Sequence, residues 1–193
     1  MAKDTEAPTE GDPLIAKATA KEGAFPGLGF GPERWLMDLE AKAGFELLAI
    51  LFVVQHLHRG FVDSVTSQSS NYVYRLYHVP ATSIQIYSGL ATLPWALKPM
   101  VGLVSDIFPI GGYNKAPYML IVSLLGCAAY ACVGVMPSSV LPITGVVACF
   151  FLQSLQLSAN DILTEAKYAA KIRETPEIGP GLLTYVWFGM NVA

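Results

Sequence analysis

Pro117-Tyr-Met-Leu-Ile-Val-Ser-Leu-Leu-Gly-Cys-Ala-Ala-Tyr-Ala-Cys-Val-Gly-Val-Met136 contains no charged residue and ends at the turn Pro137-Ser-Ser. A helix crossing a bilayer needs about 20 mostly apolar residues, so this stretch has the length and character of a membrane span. The texture continues on both sides of it. The 193-residue chain is 53% hydrophobic and only 14% charged, with a mean hydropathy of +0.45, whereas soluble domains carry about 25% charged residues. Most charges fall before Lys42 or after Lys167. The expected fold class is an all-α membrane protein, because a span in lipid must satisfy its own backbone hydrogen bonds.

Working outward, the sequence divides into four spans and the start of a fifth. The first runs over 44–65, with an aromatic extension to 77; the second over 83–104, interrupted by Pro94 and Pro99. The third is 117–136, the fourth 140–169, and Leu182-Leu-Thr-Tyr-Val-Trp-Phe-Gly-Met begins the fifth, 181–193. An ending inside a span leaves polar surface toward lipid, so the chain reads as a fragment or a truncated product whose further helices lie elsewhere in a longer protein. The basic residues Lys115, Lys167, Lys171 and Arg173 lie in the links after spans two and four. The positive-inside rule then places those links and the N-terminus in the cytoplasm.

Residues 1–43 form a separate segment. Met1–Glu22 is too poor in apolar residues for a core and reads as disordered. It has neither the h-region of a signal peptide nor an Arg/Ser-rich transit pattern. The Gly-Leu-Gly-Phe-Gly-Pro stretch at 27–32 lacks the strand and third glycine of a nucleotide loop and reads as a turn. Pro32 to Lys42 has the pattern of a short interfacial helix anchored by Trp35 and Leu36.

Several function classes find no support. A net charge of -3 without a basic block argues against a nucleic-acid partner. Cys127, Cys132 and Cys149 lack metal-ligand spacing and read as small buried or lipid-facing residues. His56 and His58, two apart on a helix, point to different faces, and no cofactor or metalloenzyme motif accompanies them. An enzyme is not expected.

Charged side chains inside hydrocarbon cost about 2.5–3.5 kcal/mol each, so each one needs a reason. In span four, Gln153, Gln156, Asn160 and Thr164 share one helical stripe, and Ser154, Ser158, Asp161 and Glu165 a second beside it. A polar arc this wide implies a water-filled cavity or a polar partner. Lys98 of span two lies about 12 Å from the cytoplasmic end at Asp106, at a depth comparable to the acids of span four. A Lys98–Asp161 or Lys98–Glu165 pair follows as the leading geometric expectation, against the alternative that Lys98 snorkels to the headgroups. Arg59 and Asp63 are spaced to pair along span one.

The segment Pro94-Trp-Ala-Leu-Lys-Pro99, followed by Gly102-Leu-Val-Ser-Asp106 and Pro109-Ile-Gly-Gly-Tyr113, resembles the second span and loop of the folate–biopterin transporter family of the major facilitator superfamily. In the family's pattern two basic residues follow; here the first is Asn114, and only Lys115 remains. Arg59-Gly-Phe-Val-Asp-Ser-Val is similar to the family's first span, and Asp161-Ile-Leu-Thr-Glu-Ala-Lys-Tyr-Ala to its fourth. Tyr185-Val-Trp-Phe-Gly-Met is similar to the beginning of its fifth. The resemblance covers residues 45–193 in consistent order.

It implies an alternating-access carrier of which these are most of the first six helices, moving folate- or pterin-like organic anions, with a proton as coupling ion. Arg59 and Lys98 would suit a substrate's carboxylates. Asp161 or Glu165 would carry the proton, with Asp63, Gln156 and Asn160 as further binding or coupling candidates. Gly102, Asp106 and Lys115 would belong to a cytoplasmic gating loop. The plasma membrane is the default location and an organelle membrane the alternative. Another solute such as S-adenosylmethionine, or a non-transporting membrane partner, are the competing readings of function.

Overall fold

The computed structural model describes residues 31–192. The expectations for Met1–Glu22 and for most of the 27–32 turn lie outside the described residues. The chain divides between Leu39 and Glu40 into two compact units, and all the helices from Phe45 onward belong to the second.

Helix α1 covers Pro32–Ala43, with Pro32 in its first turn, acidic Glu33 beside it and Lys42 in the last turn. That order of charges complements the helix dipole. Gly44, at φ 91°, separates it from α2 in a conformation that L side chains rarely adopt.

Helix α2 runs unbroken over Phe45–Leu76, but its middle, Phe52–Val62, is wound as a π-helix. The Asp63 amide reaches back to the carbonyl of His58, five residues earlier, where this winding ends. Such wide turns are rare and mark functional segments more often than ordinary helix does.

What the sequence reads as one second span is two helices, α3 (Ala81–Ala96) and α4 (Lys98–Ile107). Pro99 has no N–H to give to the carbonyl of Trp95, so the ladder fails at that point. The Leu97 amide instead closes a tight turn onto the Pro94 carbonyl at 3.1 Å, and α4 restarts at Lys98. Helix α5 is Ala116–Val135, α6 is Ile143–Glu174, and after a 3₁₀ turn at Pro176–Ile178 comes α7, Gly179–Val192. Prolines set these beginnings: Pro80 and Pro142 cap α3 and α6, and Pro117 sits in the first turn of α5.

The helices α2, α5 and α6 are each long and apolar enough to cross a membrane. Among the described residues there is no strand, only an isolated bridge between Ile110 and Tyr113, and the protein is an all-α membrane protein. Helix α6 is the hub. It packs against α5, α3, α4 and the π-helical part of α2, while α7 packs against that same part. Its most apolar window is 61% buried, against 28% for α2 and 11% for α5. Leu120, Ile121, Leu124 and Leu125 of α5 are exposed, as suits a helix facing lipid. A compact cluster of Tyr74, Ala91, Val146, Val147 and Phe150 ties α2, α3 and α6 together near the Leu76–Ala81 turn.

Two glycines allow the closest approaches. A Cβ at Gly126 of α5 would overlap the Gln156 side chain of α6, and one at Gly189 of α7 would overlap the His56 ring of α2. Small residues at helix contacts are how membrane bundles gain packing without a hydrophobic drive.

Candidate functional site: an intramembrane ion cluster beside a polar cavity

The break at Leu97 puts Lys98 at the start of α4, facing α6. Its Nζ donates to Asp161 Oδ2 at 2.7 Å and stands 3.9 Å from Glu165 Oε2. The second carboxylate oxygen of Asp161 accepts from Gln55 Nε2 of α2 at 2.8 Å. Asp161 is therefore held from two sides by different helices. The Lys98 side chain is 21% exposed and that of Asp161 13%, whereas Glu165 is 48% exposed. This gradient runs from a sheltered pair to an acid in contact with its surroundings.

Arg59 adds the second cation. Its guanidinium lies 3.9 Å from the centre of the Trp95 ring, and Lys98 Nζ lies 5.1 Å from the same ring. Indole is the strongest of the aromatic faces for a cation. Arg59 also pairs with Asp63 at a loose 4.0 Å. Among the described residues, two cations and three carboxylates thus meet where α2, α3, α4 and α6 converge, with one negative charge in excess.

On the side toward the Leu76–Ala81 turn lies a cavity of ≈ 250 Å³ between α2, α3, α5 and α6, whose lining includes Asp63, Thr66, Trp95, Tyr130 and Gln153. Trp95 stands between this cavity and the two cations.

The other sequence candidates go elsewhere. Gln156 lies against Gly126 of α5, and Asn160 Nδ2 donates to Ser123 Oγ of α5 at 3.0 Å. Both are buried on the α5 side of α6 and stand apart from the Lys98 cluster. The stripe therefore divides: Gln153 reaches the cavity, while Gln156 and Asn160 meet α5 and line a separate groove with His58. The two histidines separate as their spacing implies. His56 makes a 2.9 Å contact with the Tyr185 carbonyl of α7, and His58 lines a groove with Asn160 and Lys167.

At the end of α4, Lys115 Nζ donates to Asp106 Oδ1 at 3.1 Å. The intervening loop is a two-residue hairpin in which Ile110 and Tyr113 exchange both backbone bonds at 3.1 Å. Gly111 and Gly112 occupy its centre at φ 61° and 84°, the pair of positive angles that a type I′ turn requires. Tyr118 closes the loop by donating to the Phe108 carbonyl at 2.6 Å. Gly102 sits inside α4, where an added Cβ would stand 3.6 Å from Ile162 of α6.

Two contributors lie outside the residues that the sequence singles out. Thr66, Ser70 and Tyr74 recur every four residues on α2, as do Asp63, Ser67 and Asn71, a polar face that lines the cavity. That periodicity was the available signal. Trp95 as the platform for Arg59 carried none, because nothing local relates residues on different helices.

Charged side chains sheltered inside an all-helical membrane bundle, at a proline-broken helix, mark a functional site within the membrane. The chain belongs to the BT1 family, whose model matches residues 59–192, within the major facilitator superfamily. It is 25% identical over 167 residues to a protein named probable folate-biopterin transporter 6 of Arabidopsis thaliana, covering 86% of this chain and 33% of that protein. It is 28% identical over 160 residues to probable folate-biopterin transporter 4 of the same plant, covering 82% and 32%. A folate-biopterin transporter of Synechocystis is 33% identical over 78 residues, 40% of this chain and 15% of that protein. The chain thus spans about a third of the length of the first two relatives. No solved structure matches it.

Proposed function

We propose that the complete protein containing these helices is a secondary transporter of folate- or pterin-like organic anions, in which Asp161 or Glu165 carries a coupling proton. The names of the relatives supply the substrate class. The observation that carries the coupling is the Lys98–Asp161 contact at 2.7 Å, flanked by Glu165 at 3.9 Å. The cluster already holds one excess negative charge, so an anionic substrate entering it meets repulsion. Protonating one acid removes that charge and frees the Lys98 ammonium for a substrate carboxylate. Deprotonation lets Lys98 return to Asp161 and expels the anion. A proton is thereby exchanged for a change of partner at one cation.

In this reading the Asp106–Lys115 hairpin is a latch that closes one face of the bundle, with Gly102 allowing α4 to lie against α6. The latch, the basic end of α6 and the N-terminus are assigned to the cytoplasm, because Lys115, Lys167, Lys171 and Arg173 gather at those ends. The plasma membrane is the proposed location. Relatives named as chloroplastic make an organelle the alternative.

Labelled-folate uptake by the complete protein, in cells lacking their own carrier, tests the assignment at acidic and neutral external pH. Uptake should rise with acidity, and Asp161→Asn with Glu165→Gln should remove that rise. An unchanged pH response in the double variant refutes the proton-carrier roles.

A further inference from the structure

The cavity beside the ion cluster has a chemical bias that its residue types alone do not reveal. Thr66 Oγ1 donates its proton to the Val62 carbonyl at 2.7 Å. Its 3.2 Å contact with Tyr130 Oη must therefore use the tyrosine's proton, which leaves the Tyr130 oxygen as an acceptor. Thr92 is committed in the same way, donating to the Ser88 carbonyl at 2.9 Å. Gln153, only 3% exposed, has an amide oxygen with no partner among the described residues. Asp63 is tied only loosely to Arg59, at 4.0 Å. Beside the N–H groups of Asn71 and Trp95, the cavity's wall thus offers several acceptor oxygens and is anchored by a carboxylate.

We propose that this cavity binds the donor edge of a flat, cyclic amidine-type ring, such as the 2-amino-4-oxopyrimidine edge of a pterin, and that Arg59 and Lys98 beyond Trp95 take the acidic tail of the same molecule. The inference rests on the transport reading above and assigns an orientation within it. A ring N–H and an adjacent amino group present two parallel donors that match one carboxylate, the geometry by which guanidinium is recognised. Asp63 supplies that carboxylate. Gln153 Oε1 or the Tyr130 oxygen accepts the remaining N–H of the amino group.

Size favours the same ligand. At ≈ 250 Å³ the cavity has room for a ring system, and Arg59 and Lys98 lie outside its lining, against the Trp95 ring.

The test is competition against labelled-folate uptake by the complete protein, using two probes: biopterin, which has the ring and no acidic tail, and p-aminobenzoylglutamate, which has the tail and no pterin. Asp63→Asn should weaken competition by biopterin about tenfold or more, the loss expected for a charge-assisted pair, and leave p-aminobenzoylglutamate within about twofold. Lys98→Met should do the reverse. Gln153→Leu, which keeps every charge, should follow the Asp63→Asn pattern more weakly. Continued competition by p-aminobenzoylglutamate in Asp63→Asn and Gln153→Leu, and by biopterin in Lys98→Met, reports that each variant is folded.

Equal weakening of both probes by Asp63→Asn, or of neither, overturns the orientation while leaving transport intact. So does a sodium-stimulated uptake that Asp63→Asn abolishes, because the acceptors would then serve an ion. Absence of folate and biopterin uptake by the unaltered protein overturns the transport reading, and this inference with it.

Discussion

Replacing Lys98 by Met removes the one ammonium that joins α4 to α6, and the structure allows the consequence to be sized. At an effective dielectric constant near 20, unit charges 2.7 Å apart attract by about 6 kcal/mol and those 3.9 Å apart by about 4 kcal/mol. Most of that gross attraction offsets the desolvation of the ions, so the pair's net contribution is small. Breaking a buried pair on one side is costly, about 3–5 kcal/mol, because a charge stays behind without its partner. Lys98→Met leaves Asp161 with only the Gln55 amide, and a loss near the lower end, about 3 kcal/mol, is expected because neither group is fully buried. Asp161→Asn should cost less, about 2 kcal/mol, because Glu165 is 3.9 Å away and takes over the ammonium. The combined Lys98→Met and Asp161→Asn protein has no stranded buried charge, since Glu165 is half-exposed, and should return to within about 1 kcal/mol of the original. Denaturant unfolding of the purified protein in detergent, followed by tryptophan fluorescence, gives the coupling between the two changes. A coupling of at least about 2 kcal/mol is expected. If the two losses simply add, the pair does not organise this part of the bundle.

The two glycine contacts make further predictions. Gly126→Ala drives a methyl group into the Cβ and amide of Gln156, and should lower stability by about 1–3 kcal/mol, read as a drop in Tm. Gly189→Ala presses on the His56 ring and disrupts its contact with the Tyr185 carbonyl. Hydrogen exchange should then speed up across Gly179–Val192 while α5 and α6 stay protected, and adding His56→Ala should restore protection; uniform exchange in both variants would show that α7 is not held there.

Much of the site was legible before the structure, and the reasons are particular. Lys98, Asp161 and Glu165 stand out because charges in an apolar run are expensive, and counting helical rise from Asp106 sets them at a common depth. Arg59 and Asp63 are related by four residues of one helix, a purely local fact. Gln156 and Asn160 look equivalent to Asp161 on the same ground, since all three are polar residues of one span. Only packing separates them, because α5 covers one side of α6 and α4 the other. The polar face of α2 was legible from its spacing and went unread, overshadowed by the charges before it.

Composition and spacing by themselves determined that this is a helical membrane protein, because hydrocarbon accepts long apolar runs only as helices in which the backbone bonds to itself. The motif around Lys98 pointed to the family through local order alone. Tertiary structure decided what each polar side chain meets. The break at Leu97, the π-helical winding of Phe52–Val62 and the hub position of α6 bring Gln55, Lys98 and Asp161 together from three helices. Hydrogen bonding and ion pairing act over about 3 Å, and only the folded bundle brings residues so far apart in the chain within that distance.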